Sequence, residues 1–125
     1  MNEVKKAVVV DDDLKVTVLL EKVLSEQGFQ VFTTHDGKKA LALVESEKPD
    51  VLITDILIPG MDGISLCQTI KSDPMLEDIV VIVMTGIYKQ ASFKAEMKCK
   101  PDGFIEKPLD VKQLKSLVLE KLGIE

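Results

Sequence analysis

Short apolar runs alternate along this chain with segments in which apolar residues recur every three or four positions. The runs are rich in β-branched residues and are nearly continuous, which is typical of strands covered on both faces of a sheet. They predict five strands, at about 5–11, 30–34, 50–55, 79–84 and 103–107. Because each strand is followed by a helical segment, the pattern favours an α/β fold with right-handed crossovers.

The helical segments differ in how clearly they are patterned. Gly28 ends the first, the second begins at Asp36-Gly37 and ends before Pro49, and Asp110 is the expected N-cap of the last. Their apolar stripes are Val16, Leu19, Leu20, Val23 and Leu24, then Ala40, Leu41 and Val44, then Ile64, Cys67 and Ile70, and finally Val111, Leu114, Leu117, Val118 and Leu122. The segment 87–100 is interrupted by lysines and closed by Pro101, so we expect a loosely held fourth helix there.

Five strands alternating with five helices predict a flavodoxin-like (βα)5 fold, a doubly wound parallel five-stranded sheet with strand order 2-1-3-4-5. The chain has 125 residues and contains no internal repeat, linker or low-complexity tract. We therefore expect a single domain over residues 1–125.

Four of the predicted strands end in residues that carry useful chemistry: Asp11-Asp12, Asp55, Thr85 and Lys107. The carboxyl ends of parallel strands meet at one rim of a sheet, where ligands of such folds bind. Three carboxylates gathered there repel one another unless they share a divalent cation, and Mg²⁺ suits such oxygen ligands. A hydroxyl and an ammonium group are appropriate partners for phosphoryl oxygens, so the set indicates a site for phosphoryl transfer.

Each of these residues also has an ordinary structural explanation when it is taken alone. Asp12 or Asp13 could cap the first helix, and because one cap needs one carboxylate we assign capping to Asp13. Asp55 could be a turn residue, Lys107 a solvated lysine at a strand edge, and Phe104 a plain core residue.

Composition removes several classes of function. The net charge of −5 argues against nucleic-acid binding, and no apolar run approaches the ~20 residues that cross a bilayer. The N-terminus has no apolar signal-peptide core, so we expect a cytoplasmic protein that does not contact membranes. Cys67 and Cys99 are expected to be small packing residues rather than a disulfide framework, and His35 a surface residue without a chemical role.

The motifs Val8-Val9-Val10-Asp11-Asp12-Asp13, Thr54-Asp55-Ile56-Leu57-Ile58-Pro59-Gly60-Met61-Asp62-Gly63, Met84-Thr85-Gly86 and Lys107-Pro108 occur in this order along the chain. Over essentially its whole length the chain resembles the receiver domain of two-component response regulators, of the chemotaxis CheY type. The resemblance implies that Asp55 is the phosphoacceptor and takes a phosphoryl group from a phosphohistidine of a sensor kinase or phosphotransfer protein. It also implies that Asp11, Asp12, Asp55 and the backbone carbonyl of Leu57 hold Mg²⁺.

The same resemblance implies a switch rather than a turnover enzyme. Thr85 and Lys107 would contact the phosphoryl group, and Phe104 would follow Thr85 and alter a surface made of the fourth helix, the fifth strand and the last helix. That surface would bind a downstream effector protein or output domain, and dimerisation there is left open. The Lys107–Pro108 bond is expected to be cis. Leu57 and Ile87 are apolar where the family flanks the attacking water, which predicts a long-lived phosphoryl group.

Two other classes of function remain open from the sequence. A Mg²⁺-dependent phosphatase or phosphotransferase acting on small molecules would use the same carboxylates, although the first strand lacks an Asp-x-Asp arrangement. A degenerate receiver would act as a constitutive interaction module and would fail to become phosphorylated.

Overall fold

The computed structural model describes residues 4–86 and 99–124. Within them lie β1 (Lys6–Val10), β2 (Gln30–Thr34), β3 (Val51–Asp55), β4 (Val80–Gly86) and β5 (Gly103–Lys107). The helices are α1 (Leu14–Glu26), α2 (Gly37–Glu47), α3 (Gly63–Ser72) and α4 (Val111–Leu122). The five strands are all parallel and are ordered β2-β1-β3-β4-β5, which confirms the predicted fold and strand order.

The sheet is covered on both faces, as the continuous apolar runs predict. Successive strand residues point to opposite sides, so Val8 belongs to one core layer and its neighbour Val9 to the other. The first layer is packed by α2 and α3, and the second by α1 and α4. This arrangement buries every strand and leaves the carboxyl ends of β1, β3, β4 and β5 along one rim.

Aspartate residues begin all four described helices. The side chain of Asp13 accepts a hydrogen bond from the Lys15 N–H at 2.9 Å, which confirms its predicted capping role. Asp110 caps α4 in the same way, also as predicted. Asp36 and Asp62 cap α2 and α3. Each such cap satisfies an otherwise unpaired helical N–H group and contributes about 1 kcal/mol.

The predicted helix at 87–100 lies mostly outside the described residues, because the description stops at residue 86 and resumes at residue 99. Cys99 and Lys100 are described and are not helical, so the predicted C-terminal boundary is wrong there. No helix among the described residues is long and apolar enough to cross a membrane.

The expectation of two separate cysteines is wrong. Cys67 on α3 and Cys99 form a disulfide, with their Cα atoms 6.3 Å apart. Sequence spacing could not reveal the pair, because the two cysteines are 32 positions apart with all of β4 between them. Their proximity arises from packing of α3 against the chain that enters β5.

Candidate functional site

The three acidic residues singled out from the sequence converge at the predicted rim. Asp11 and Asp12 follow β1 directly, and Asp55 is the last residue of β3, the strand that pairs with β1. One carboxylate oxygen from each lies within 4.8 Å of the other two. Asp11 is fully buried, Asp55 is partly buried and Asp12 is exposed, so the cluster forms a cleft that opens to solvent on one side.

Lys107, at the end of β5, bridges two of these carboxylates. Its Nζ lies 2.6 Å from Asp11 Oδ2 and 3.1 Å from Asp55 Oδ2. The remaining oxygens of both carboxylates accept backbone hydrogen bonds, Asp11 Oδ1 from Asp13 N–H and Asp55 Oδ1 from Ile56 N–H, each at 2.8 Å. The acids are therefore held in fixed orientations by the chain around them. The Lys107–Pro108 bond is cis, as the resemblance implies.

Burial and ion pairing act in opposite directions on these groups. Burial raises the pKa of Asp11 above its ordinary value of 3.8 and outweighs the hydrogen bond from Lys107. Burial alone would lower the pKa of Lys107, but its hydrogen bonds to Asp11 and Asp55 outweigh burial and raise that pKa above 10.5. The Lys107 ammonium group therefore stays charged at neutral pH, whereas burial makes the ionised form of Asp11 less favourable than it is in water.

The donor set of the cleft fits a hard divalent cation. Three carboxylates against one ammonium group leave two uncompensated negative charges when all are ionised. The two positive charges of Mg²⁺ compensate these negative charges. The ion binds through a few protein oxygens while keeping several waters, which the exposed side at Asp12 allows. Leu57, whose carbonyl is the fourth predicted ligand, is an exposed residue in the loop after β3. Its role as a ligand stays a prediction.

The two predicted switch residues lie on the neighbouring strands β4 and β5. Thr85 is almost fully buried, and its hydroxyl has no hydrogen-bond partner among residues 4–86 and 99–124. Phe104 is partly buried and packs against the α2 and α3 layer of the core. A buried hydroxyl at the rim is a donor that a phosphoryl oxygen could satisfy.

The turn from β2 to α2 (residues 34–37) contacts the end of β1 and the loop after β3, and sequence reasoning missed these contacts. The backbone carbonyl of Asp11 lies 2.9 Å from His35 Nδ1, and because a carbonyl only accepts, that ring nitrogen donates. At the other end of the turn, the Gly37 N–H donates to Pro59 O at 2.8 Å. His35 directly follows β2, so the strand-end argument used for the other strands would have placed it at this rim.

Two glycines allow the loop between β3 and α3 to approach its neighbours. A Cβ on Gly37 would lie 1.9 Å from the carbonyl oxygen of Met61, and a Cβ on Gly63 would lie 2.1 Å from that of Asp55. Gly63 N–H also donates to Ile56 O at 2.8 Å. The loop that carries Leu57 is thus fixed at both ends by backbone contacts that a side chain would break.

Comparison with known proteins agrees with the geometry. The family model of the response regulator receiver domain matches residues 7–119. The crystal structure of a putative response regulator from Chloroflexus aurantiacus superposes with a TM-score of 0.89 at 28% sequence identity, covering 97% of this chain and 99% of that one.

Two further relatives are informative in different ways. The alkaline phosphatase synthesis transcriptional regulatory protein PhoP of Bacillus subtilis is 43% identical over 63 residues, which are 50% of this chain and 26% of that protein. The receiver domain of sensor histidine kinase PA1611 from Pseudomonas aeruginosa, a structure with a magnesium ion coordinated in its active-site cleft, has a TM-score of 0.86 at 20% identity, covering 97% of this chain and 99% of that one. At that identity the second similarity shows the shared fold alone.

Proposed function

Because the chain belongs to the response regulator receiver domain family, we propose that it is a phosphorylation-controlled signalling switch whose phosphoacceptor is Asp55. The observation that carries the proposal is the convergence of Asp11, Asp12 and Asp55 around the Lys107 ammonium group at one rim of the sheet. Phosphoryl transfer needs an oxygen nucleophile, neutralised charge and fixed positioning, and these groups supply all three.

In the proposed reaction, a carboxylate oxygen of Asp55 attacks the phosphorus of a phosphohistidine. The new bond joins Asp55 Oδ to phosphorus, the bond between phosphorus and the imidazole nitrogen breaks, and the imidazole leaves. Asp11, Asp12, Asp55 and the Leu57 carbonyl would hold Mg²⁺, which when bound supplies charge neutralisation for the phosphoryl oxygens. Lys107, which already pairs with Asp55, binds a phosphoryl oxygen once the carboxylate is modified.

The switch itself is proposed to run through Thr85 and Phe104. The buried Thr85 hydroxyl turns to donate to a phosphoryl oxygen, and this movement vacates space beside Phe104. The two residues lie on the paired strands β4 and β5, where Val83 is opposite Phe104. The aromatic side chain then changes its packing against β5, within the surface predicted from segment 87–100, β5 and α4, where an effector protein or output domain binds. In Phe104→Ala, Asp55 should still become phosphorylated while the gain in partner binding on phosphorylation is lost.

The proposed phosphodonor is a histidine kinase or a histidine phosphotransfer protein. Beside the cleft, α1 exposes three apolar side chains, those of Leu14, Val18 and Leu19. An exposed apolar face next to a reactive site is a suitable contact for a protein donor, which must bring its histidine to Asp55. The proposed setting is the cytoplasm, where ATP supplies the phosphoryl groups of such kinases.

Intact-mass spectrometry after incubation with acetyl phosphate tests the proposal without a partner protein. We expect one phosphoryl group per chain in the presence of Mg²⁺, none after chelation, and none in Asp55→Asn. Asp78→Asn is the matched control, because Asp78 is an exposed aspartate in the segment before β4, away from the cleft. Absence of any adduct in the wild type would contradict the proposal and favour a constitutive interaction module. Continuous hydrolysis of small phosphate esters would favour the phosphatase alternative.

A further inference from the structure

The chain contains two cysteines, and the structure joins them covalently. We propose that Cys67 and Cys99 form a reversible thiol–disulfide site whose co-reactant is the disulfide of a low-molecular-weight thiol, and that its oxidation ties the segment entering β5 to α3. Because no third cysteine exists in the sequence, full oxidation of one chain has a single intramolecular product.

The surroundings of the pair suit both redox states. Cys67 is fully buried and Cys99 is 4% exposed, and both belong to the apolar core layer under α2 and α3. A cysteine thiol packs as a small hydrophobic group, so reduction leaves two side chains that this layer accommodates. The apolar core therefore supports the fold without the disulfide, unlike small domains that need disulfides because they lack a sufficient core.

A second contact keeps the two sulfurs close when the bond is open. One helical turn after Cys67, Lys71 Nζ lies 2.7 Å from Asp102 Oδ2. Asp102 is itself fixed to β4, because its carboxylate accepts from the Val81 N–H at 2.8 Å and its own N–H donates to Val81 O at 2.8 Å. The chain just beyond Cys99 is thus anchored beside α3 without the disulfide, and this proximity favours closure of the bond.

The proposed oxidation proceeds by two thiol–disulfide exchanges. The Cys99 thiolate, the one with some exposed surface, attacks the small disulfide, forms a mixed disulfide and releases one small thiol. The second cysteine then attacks the mixed disulfide, forms the bond between Cys67 and Cys99, and releases the second small thiol. The protein loses two electrons and two protons, and both small thiol products carry them away. Reduction by an excess of the small thiol is the reverse sequence.

The consequence for signalling rests on the proposed function. Cys99 lies shortly before β5, which carries Phe104 and Lys107, while Cys67 lies in the middle of α3. A covalent tie at Cys99 limits how far the entry of β5 can shift relative to α3. We therefore expect the oxidised form to accept the phosphoryl group but to rearrange less around β5. In a cytoplasmic setting, where thiol pools keep most cysteines reduced, such a bond is expected to be transient and regulatory.

The redox site is tested on the full chain in mixtures of reduced and oxidised glutathione. After acid quenching, free thiols are alkylated in denaturant and counted by intact mass. We expect chains with either two free thiols or none, and a smooth transition between them as the glutathione ratio changes. Both thiols free at every ratio, or a bond that an excess of dithiothreitol cannot open in the folded protein, would overturn the proposal. Cys67→Ser, which keeps the slightly exposed Cys99, should give only the mixed disulfide with glutathione, whereas Cys99→Ser, whose remaining thiol is fully buried, should stay reduced.

The signalling consequence needs a separate readout. Hydrogen exchange of peptides covering residues 99–107 is compared before and after acetyl phosphate treatment, in the oxidised and the reduced protein. We expect the change on phosphorylation to be several-fold smaller in the oxidised form, and this difference to vanish in Cys67→Ala. Equal changes in both forms would overturn the coupling. If neither form becomes phosphorylated, the proposed function fails while the thiol count still decides the redox site.

Discussion

Removal of the Lys107 ammonium group should destabilise the protein when no Mg²⁺ is present. In Lys107→Met the long apolar part of the side chain is retained, but Asp11 loses a partner 2.6 Å away and Asp55 one 3.1 Å away. Deleting one partner of a buried ion pair costs roughly 3–5 kcal/mol. The Lys107 side chain is 26% exposed and the cleft opens to water at Asp12, so we expect a loss at or just below the lower limit of that range, about 2–3 kcal/mol.

The assay is urea unfolding followed by circular dichroism, because the chain contains no tryptophan. Lys22→Met serves as the control, since Lys22 is exposed on α1, and we expect it to change the free energy of unfolding by less than about 0.5 kcal/mol. The decisive variant is the double substitution Asp11→Asn with Lys107→Met. Removing the buried charge together with its partner should restore part of the lost stability.

Two results would refute this reasoning. If Lys107→Met were as stable as the wild type without Mg²⁺, the ammonium group would not be compensating the buried acids. Residues in direct contact are expected to couple by about 0.5 kcal/mol or more. If the effects of Asp11→Asn and Lys107→Met on the free energy of unfolding simply added, the two side chains would not be coupled.

Four further predictions concern the cleft and its surroundings. Because burial raises the pKa of Asp11, the protonated carboxyl group stabilises the folded state. This contribution to the free energy of unfolding is complete below pH 3.8 and is lost as pH rises through the raised pKa. In metal-free unfolding experiments this loss should be absent from Asp11→Asn. Gly37→Ala should displace the loop at Met61 and weaken Mg²⁺ binding, measured by thermal shift, by about tenfold, or roughly 1.4 kcal/mol. Leu57→Asn should shorten the lifetime of the phosphoryl group by giving the attacking water a polar partner. Leu14→Ser should slow phosphorylation by a histidine donor protein by roughly tenfold through lost apolar contact.

Gly37→Ala and Leu14→Ser each have a matched comparison. Gly103→Ala places a Cβ in ordinary contact with Leu117, at 3.4 Å, and should leave Mg²⁺ binding unchanged. Leu14→Ser should leave the rate with acetyl phosphate unchanged, because that donor needs no protein surface; equal slowing with both donors would contradict the docking role. An unchanged rate of hydrolysis in Leu57→Asn would contradict the proposed reason for a long-lived phosphoryl group. Ile87, the second residue in that argument, lies outside the described residues.

The sequence predicted the sheet and the main cleft well, because both depend on local patterns. Continuous apolar runs specified strands buried on both faces, and a parallel sheet brings their carboxyl ends together whatever the loops do. Asp11 and Asp55, 44 positions apart, could therefore be placed side by side without knowledge of any contact. The capping roles of Asp13 and Asp110 were equally local, since a cap bonds to N–H groups two or three residues away.

What the sequence did not reveal depends on packing between distant segments. The Cys67–Cys99 bond requires α3 to lie against the chain that enters β5, and no motif encodes that approach. The contact of Gly37 with Met61 likewise depends on how α2 sits beside the loop after β3. His35 was missed for a different reason, because it follows β2, the one strand whose end carried no recognised chemistry.

The most direct test of the account is to locate the phosphoryl group chemically. After treatment with acetyl phosphate and Mg²⁺, borohydride reduces an aspartyl phosphate to homoserine, and peptide sequencing by mass spectrometry identifies the altered position. We predict homoserine at position 55, and no homoserine at Asp11 or Asp12. Homoserine at another aspartate, or none in a chain that carries a phosphoryl group, would contradict the assignment of Asp55 as the phosphoacceptor.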